Sequence, residues 1–139
     1  MSARPLPVPD DQSAGYWAAA ARHVLAIARC SQCGVFSHPP DSVCASCGSI
    51  EPGFQFEPVS GNGVVRSWTV VRQALLPGFE PDLPYLVVDV ELQEQPGLRL
   101  TGRLLDGPGT PLSLGAPVRA AFEDVAPGVA VPAFRLAQP

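Results

Sequence analysis

The sequence predicts a mostly β fold, and three observations carry that expectation. Proline and glycine number 17 and 13 in 139 residues, which disfavours long helices and favours short strands joined by turns. The second half of the chain holds several runs in which apolar and polar side chains alternate, the period of a half-buried strand. All four cysteines fall in two Cys-x-x-Cys-Gly pairs, the pattern of a loop-rich metal ribbon. With 46% hydrophobic residues the chain has enough apolar material for a folded core, and its length is that of one domain or one domain with a small appendage.

Residues 1–10 carry Pro5, Pro7 and Pro9 without any periodicity, and read as a flexible, extended arm that only a partner would order. From Asp11 or Ser13, either able to cap a helix, Ala14 to His23 are good helix formers that place Trp17, Ala20, Ala21 and Val24 at helical spacing. Trp17 then packs on the body of its own chain, or Tyr16 and Trp17 together anchor a partner, since aromatic side chains concentrate in interface cores.

Cys30-Ser-Gln-Cys33-Gly34 and Cys44-Ala-Ser-Cys47-Gly48 follow. Two such knuckles put four thiolates at the corners of a tetrahedron, and the glycine after each pair allows the tight turn that aims backbone amides at the sulfurs. Zinc is the expected metal at Cys30, Cys33, Cys44 and Cys47. A four-cysteine iron site obeys the same ligand logic, while disulfides fit a cytoplasmic chain poorly. Four protein ligands leave no open coordination position, so the metal is structural. His38, between the knuckles, is not needed as a ligand.

After the ribbon, Gly61-Asn62-Gly63 signals a turn that opens a long β-branched run, Val64 to Leu76. Neither face of this run is cleanly apolar, as expected of a long strand that bends and changes its buried face. Pro77 to Pro84 is a proline-rich loop. Tyr85 to Gln93 is a strand with Leu86, Val88, Val90 and Leu92 inward, and Leu98 to Leu105 a second with Leu98, Leu100 and Leu104 inward. Asp106 to Gly115 is a connection. Val118, Ala120 and Phe122 mark a fourth strand and Val129 to Leu136 a fifth. Five strands without room for crossover helices make an antiparallel sheet closed into an OB-fold barrel, with an SH3-like barrel as the other candidate. The parts are an arm at 1–10, a helix and rubredoxin-like zinc ribbon at 11–53, and a barrel at 54–137.

Charge and motifs exclude several function classes. The net charge is −4, and all nine cations are arginine, which argues against a nucleic-acid module; Trp68 between Arg66 and Arg72 is the one aromatic flanked by cations. No apolar run is long enough to span a bilayer, and the amino terminus lacks the features of a signal peptide, so the chain reads as cytoplasmic with no membrane partner. His23 and His38 are the only histidines, and the thiols are committed to metal, so no nucleophile–base pair is evident and the catalytic set is empty. Asp89 and Glu91, two acids on the polar face of one strand, read as solvated rather than catalytic. A glycine-rich phosphate loop is absent. Phosphates of a ligand would have to be met by arginine, with Arg66, Arg72, Arg99, Arg103 and Arg119 as candidates and Trp68 and Phe79 as apolar neighbours.

The order of helix, four-cysteine ribbon and barrel resembles the DUF35 family of acyl-CoA-associated OB-fold proteins. The resemblance is carried by Gly15-Tyr16-Trp17, the two cysteine knuckles, Pro58-Val59-Ser60-Gly61-Asn62-Gly63-Val64-Val65, and Leu114-Gly115-Ala116-Pro117-Val118-Arg119 leading to Phe122. It covers about residues 13–137. It implies a non-catalytic subunit that accompanies a thiolase-like or lipid-transfer-protein-like protein and lines the passage of a CoA thioester to that partner's active site. Arg66, Trp68, Arg72 and Phe79 are the expected channel residues, Tyr16 and Trp17 the expected partner contacts, and a heterotetramer the expected assembly. One branch of the family serves an aldolase that cleaves a β-hydroxyacyl-CoA in sterol side-chain degradation; others serve ketothiolase or acetyltransferase steps. The length of the sequence leads to the expectation of no appended hydratase, with any such activity on another polypeptide.

Overall fold

The computed structural model describes residues 4–137. One helix, α1 (Ala14–Ala21), leads into a small antiparallel sheet of β1 (Ala26–Arg29), β2 (Phe36–Ser37) and β3 (Gln55–Pro58) in the order β2-β1-β3. A second sheet holds β4 (Asn62–Val71), β5 (Tyr85–Leu92), β6 (Arg99–Arg103), β7 (Pro117–Ala126) and β8 (Val129–Leu136) in the order β6-β5-β4-β7-β8. All its ladders are antiparallel, and a parallel bridge from Leu104 to Phe134 joins the end of β6 to β8, curling the sheet into the OB barrel.

The helix begins at Ala14 with Ser13, one of the two caps expected from sequence, at its N-cap position, although the Ser13 side chain makes no bond to the helix's own amides. Asp10 and Ser13 form a reciprocal capping box: the Ser13 N–H donates to the Asp10 carboxylate at 2.8 Å and the Asp10 N–H to the Ser13 hydroxyl at 3.1 Å. The Ser13 hydroxyl first, and then the Ser13 N–H, hold the Asp10 carboxyl below its ordinary value. At the other end His23 takes the left-handed conformation (φ 59°) usual for a terminal glycine. Its ring stacks on Phe122 at 5.2 Å and bonds Asp124 at 2.8 Å, which fastens the helix end to β7.

No alternation predicts β1, because Ala26, Ile27 and Ala28 are all buried, with side chains covered on both faces of the strand. β3 pairs with β1, from Ala26 opposite Pro58 to Arg29 opposite Gln55, so the strand just past the 53/54 division belongs to the ribbon's sheet. One core runs through the whole: Tyr16, Leu25 and Ile27 from the first part cluster with Val65, Val88, Leu92 and Phe134 of the barrel.

β5 alternates as expected, with Leu86, Val88, Val90 and Leu92 buried. β4 is shorter than expected, ending at Val71 opposite Tyr85, because Pro84 has no N–H to extend the ladder. It also carries a bulge. Val65 faces Val90, but beyond the register shift Ser67 faces Asp89 and Trp68 faces Val88. Arg66 is the extra residue, so the inward set changes from odd to even numbers across it.

Gly15 sits under the Phe56 ring, which the Cβ of any larger residue would strike. A Gly15→Ala chain gains helix propensity of about 1 kcal/mol, yet overpacking costs about 1–3 kcal/mol. The variant is expected to melt several degrees lower, measured by circular dichroism; a higher melting temperature would show that Phe56 moves aside freely.

Candidate metal centre and surface sites

Each cysteine knuckle is built the same way. The Gly34 N–H donates to the Cys30 carbonyl and the Gly48 N–H to the Cys44 carbonyl, both at 2.9 Å, and both glycines have φ near +76°, at 77° and 75°. Cys30 and Cys44 are buried, while Cys33 and Cys47 face outward. The knuckles bring all four sulfurs within 4.8 Å of one another, with Cys30–Cys47 at 3.9 Å and Cys33–Cys44 at 3.7 Å. A tetrahedron with zinc–sulfur bonds of about 2.3 Å has sulfur–sulfur edges of about 3.8 Å. The donor set therefore fits zinc with every position filled by protein.

The thiols also show why a cation belongs there. Backbone N–H groups of Cys47 and Ser46 pull the Cys44 thiol down to about 6. Cys47 accepts a bond from the Ser49 N–H but is pushed up to about 11 by burial and by its three sulfur neighbours. One thiolate opposes the next until a positive charge sits between them. His38 is outside this group; its ring lies 5.2 Å from Tyr16, and burial lowers its pKa.

The expected partner contacts divide. Tyr16 is only 9% exposed and burial pushes its hydroxyl up to about 12, so its ring anchors the helix to its own chain. Trp17 is half-buried, packs edge-on to Tyr16 at 4.9 Å, and lines an apolar cleft of about 240 Å³ with Pro7, Pro9 and Val129.

The four expected channel residues do not form one patch. Arg66, displaced by the bulge, turns to the outer face and pairs with Glu91 at 2.6 Å. That carboxylate is held below its ordinary value first by the Gly97 N–H and then by Arg66. Trp68 lies on the other face, in register with buried Val88, yet remains 40% exposed where the sheet flares. Beyond it Arg72 makes no ion pair among the described residues, and Leu75 and Leu76 are exposed. Phe79 belongs to a different surface, an outer cleft of about 230 Å³ between the Pro77–Pro84 loop, Tyr85 and the β7–β8 hairpin.

Arg4, from the arm, closes that cleft. Its guanidinium lies 5.1 Å above the Phe79 ring, bonds Asp82 at 2.6 Å and approaches Glu123 at 3.6 Å. Arg103 reaches the same two acids, at 3.4 and 3.1 Å, from above Tyr85. Sequence reading missed Arg4 because nothing local links it to acids so far along the chain.

The Asp82 carboxyl is lowered from 3.8, first by the bond from Arg4 and then by the charge of Arg103. A lowered carboxyl pKa means that the arm's contact holds above the ordinary carboxylate range and is lost as pH falls through the bound value. Titration followed by NMR should show Arg4 and Phe79 shifting together with Asp82, and Arg4→Gln should move that midpoint up; an unchanged midpoint would remove Arg4 as the cause. Cys44→Ser should abolish stoichiometric zinc by elemental analysis and raise hydrogen exchange first in residues 26–58. Full zinc content in that variant would show that the four sulfurs are not its ligands.

Comparison with known proteins agrees with this construction. Residues 17–51 match the family description "ChsH2, rubredoxin-like zinc ribbon domain" and residues 56–123 match "ChsH2, C-terminal OB-fold domain". The chain is 34% identical over 136 residues to a Thermomonospora curvata protein described as "Probable enoyl-CoA hydratase alpha subunit"; this aligns 98% of the chain but only 41% of that relative's length. It is 32% identical over 104 residues to a Methanocaldococcus jannaschii "DUF35 domain-containing scaffold protein", covering 75% of this chain and 71% of that one. A solved structure, "Ltp2-ChsH2(DUF35) aldolase", superposes with a TM-score of 0.80 at 32% identity, over 94% of this chain and 98% of the matched one. With both modules matched in order and a DUF35 relative aligned over most of its length, the chain belongs to the DUF35 family, with a ChsH2-type zinc ribbon followed by a ChsH2-type OB-fold domain.

Proposed function

We propose that this chain is a non-catalytic accessory subunit that binds a thiolase-fold, lipid-transfer-protein-like partner and shapes the path by which an acyl-CoA reaches that partner's active site. The observation that carries the reading is its likeness, over nearly the whole matched chain, to the DUF35 component of an aldolase. The partner's reaction, on this reading, is retro-aldol cleavage of a β-hydroxyacyl-CoA in sterol side-chain degradation. The complex is a heterotetramer in the cytoplasm.

The chemistry of the surface supports a scaffold rather than a catalyst. The metal shell has no open position, and the charged groups of the outer cleft are engaged with each other as ion pairs. The structure favours different residues for different tasks. The ribbon and helix (11–53) dock the partner, with Trp17 as the aromatic available at that surface. In the barrel (54–137), Trp68 and Arg72, with exposed Leu75 and Leu76 beyond them, wall the substrate path. Phe79 shapes it only through the loop that Arg4 holds.

Affinity purification of the tagged chain from its native host, with mass spectrometry and zinc analysis, tests this reading. A stoichiometric thiolase-fold partner is expected, with about one zinc per small chain. Cleavage of a β-hydroxyacyl-CoA should need both chains, and Trp68→Ala should lower the complex's turnover while leaving zinc content unchanged. Turnover by this chain alone would overturn the accessory role, as would recovery of nucleic acid or ribosomal proteins in place of such a partner.

A further inference from the structure

The structure separates the arginines by what they already hold. Arg4, Arg29, Arg66, Arg99 and Arg103 each pair with a carboxylate. Among the described residues Arg22, Arg72, Arg119 and Arg135 do not, and Arg22 donates to the Ala18 carbonyl of its own helix. Of the four, Arg119 and Arg135 are special in position: they face each other across the β7–β8 ladder, both exposed. Directly opposed residues on one face of a sheet have Cβ atoms about 4.5–5.5 Å apart, a spacing at which like charges destabilise the pair.

No carboxylate among the described residues comes within ion-pair distance of Arg119 or Arg135. Glu123, farther along the same face of β7, is taken by Arg103 and Arg4. Asp106, beside the end of β8, accepts the Leu136 N–H at 2.9 Å. Asn62 continues the row onto a third strand, in register with Arg119, and its side-chain amide has no hydrogen-bond partner among the described residues. Three adjacent strands thus place Asn62, Arg119 and Arg135 in register on one face, in a chain with four more acids than cations.

We infer that Arg119 and Arg135, with Asn62 beside them, form an anion site that takes the phosphate groups of a CoA-type ligand. A lone carboxylate is satisfied by one guanidinium fork, which would leave the second arginine uncompensated. A phosphate or diphosphate offers enough oxygens and charge to engage both forks and the neutral amide together. This inference rests on the proposed acyl-CoA role, and it moves the phosphate contact away from Arg66, Arg99 and Arg103, whose charges are already used. It also adds Arg135, which the sequence reading did not consider.

The test is calorimetric titration of the full chain with CoA and with pantetheine, which lacks the phosphates, for the wild type and for Arg119→Gln, Arg135→Gln and the double variant. Arg22→Gln is the control. CoA affinity should fall about 10- to 100-fold in the double variant, with part of the loss in each single one and none in the control. Inorganic pyrophosphate should compete with CoA on the wild type only. Without ligand the double variant should melt no lower than the wild type, since a repulsion has been removed; a merely structural pair would melt lower. Unchanged CoA affinity in the double variant overturns the inference, and so does the absence of saturable CoA binding by the wild-type chain. A chain that binds CoA through this pair yet captures no thiolase-fold partner would sink the proposed function while leaving this site standing.

Discussion

Four thiol groups within 4.8 Å of one another cannot all ionise without a cation between them, and much of the amino-terminal third is arranged around that constraint. The knuckle glycines and the backbone N–H groups they aim at sulfur lower the cost of the first thiolate, and the metal supplies what the rest require. The polypeptide spent on this is mostly turn and short strand. Such a ribbon buries too little to fold by itself, so the metal is a condition of its structure.

The ribbon's other end is held by packing. Tyr16, Leu25 and Ile27 enter the same core as Phe134 and Val88, and the Phe56 ring of β3 rests on Gly15. Loss of metal therefore removes support from one side of the helix, while the barrel keeps its own ladders. This coupling lets a metal with no chemistry influence a binding function: it sets where α1, and with it Trp17, is presented. The His23–Asp124 and Arg4–Asp82 contacts tie the helix and the arm to the barrel from two further directions.

The metal centre was legible because its ligands sit close in sequence and their spacing is itself the geometry. The barrel was legible where one face is uniformly apolar: the even positions from Leu86 to Leu92 are all buried, and nothing interrupts their period. β4 was legible only as a strand that changes face. Its bulge at Arg66 moves one arginine to the opposite side from Trp68, and alternation alone cannot locate an extra residue. The burial of Tyr16 was not legible for a related reason. A helix rich in alanine has little contrast between faces, so its buried stripe of Tyr16, Ala19 and Ala20 does not stand out. The long-range ion pairs were not legible at all, since each joins residues far apart in the chain.

Those ion pairs carry the functional argument furthest. In a chain with more acids than cations, every arginine has a carboxylate available in principle, so one left without a partner reflects where the fold has put it. The outer cleft shows the satisfied case, with Arg4 and Arg103 sharing Asp82 and Glu123 above two aromatic rings. That arrangement is closed, and it locks the loop carrying Phe79. The β7–β8 ladder shows the opposite case. Its two arginines are brought together by a register fixed around the turn at Gly128, which aligns Val118 with Leu136 and Phe122 with Pro132 for the sake of the core. Sliding that register by one residue to part the arginines would turn either Val118 or Phe134 out of the core, depending on which strand moved. Hydrophobic packing thus holds two like-charged residues opposite each other, where a bound anion would sit between their charges.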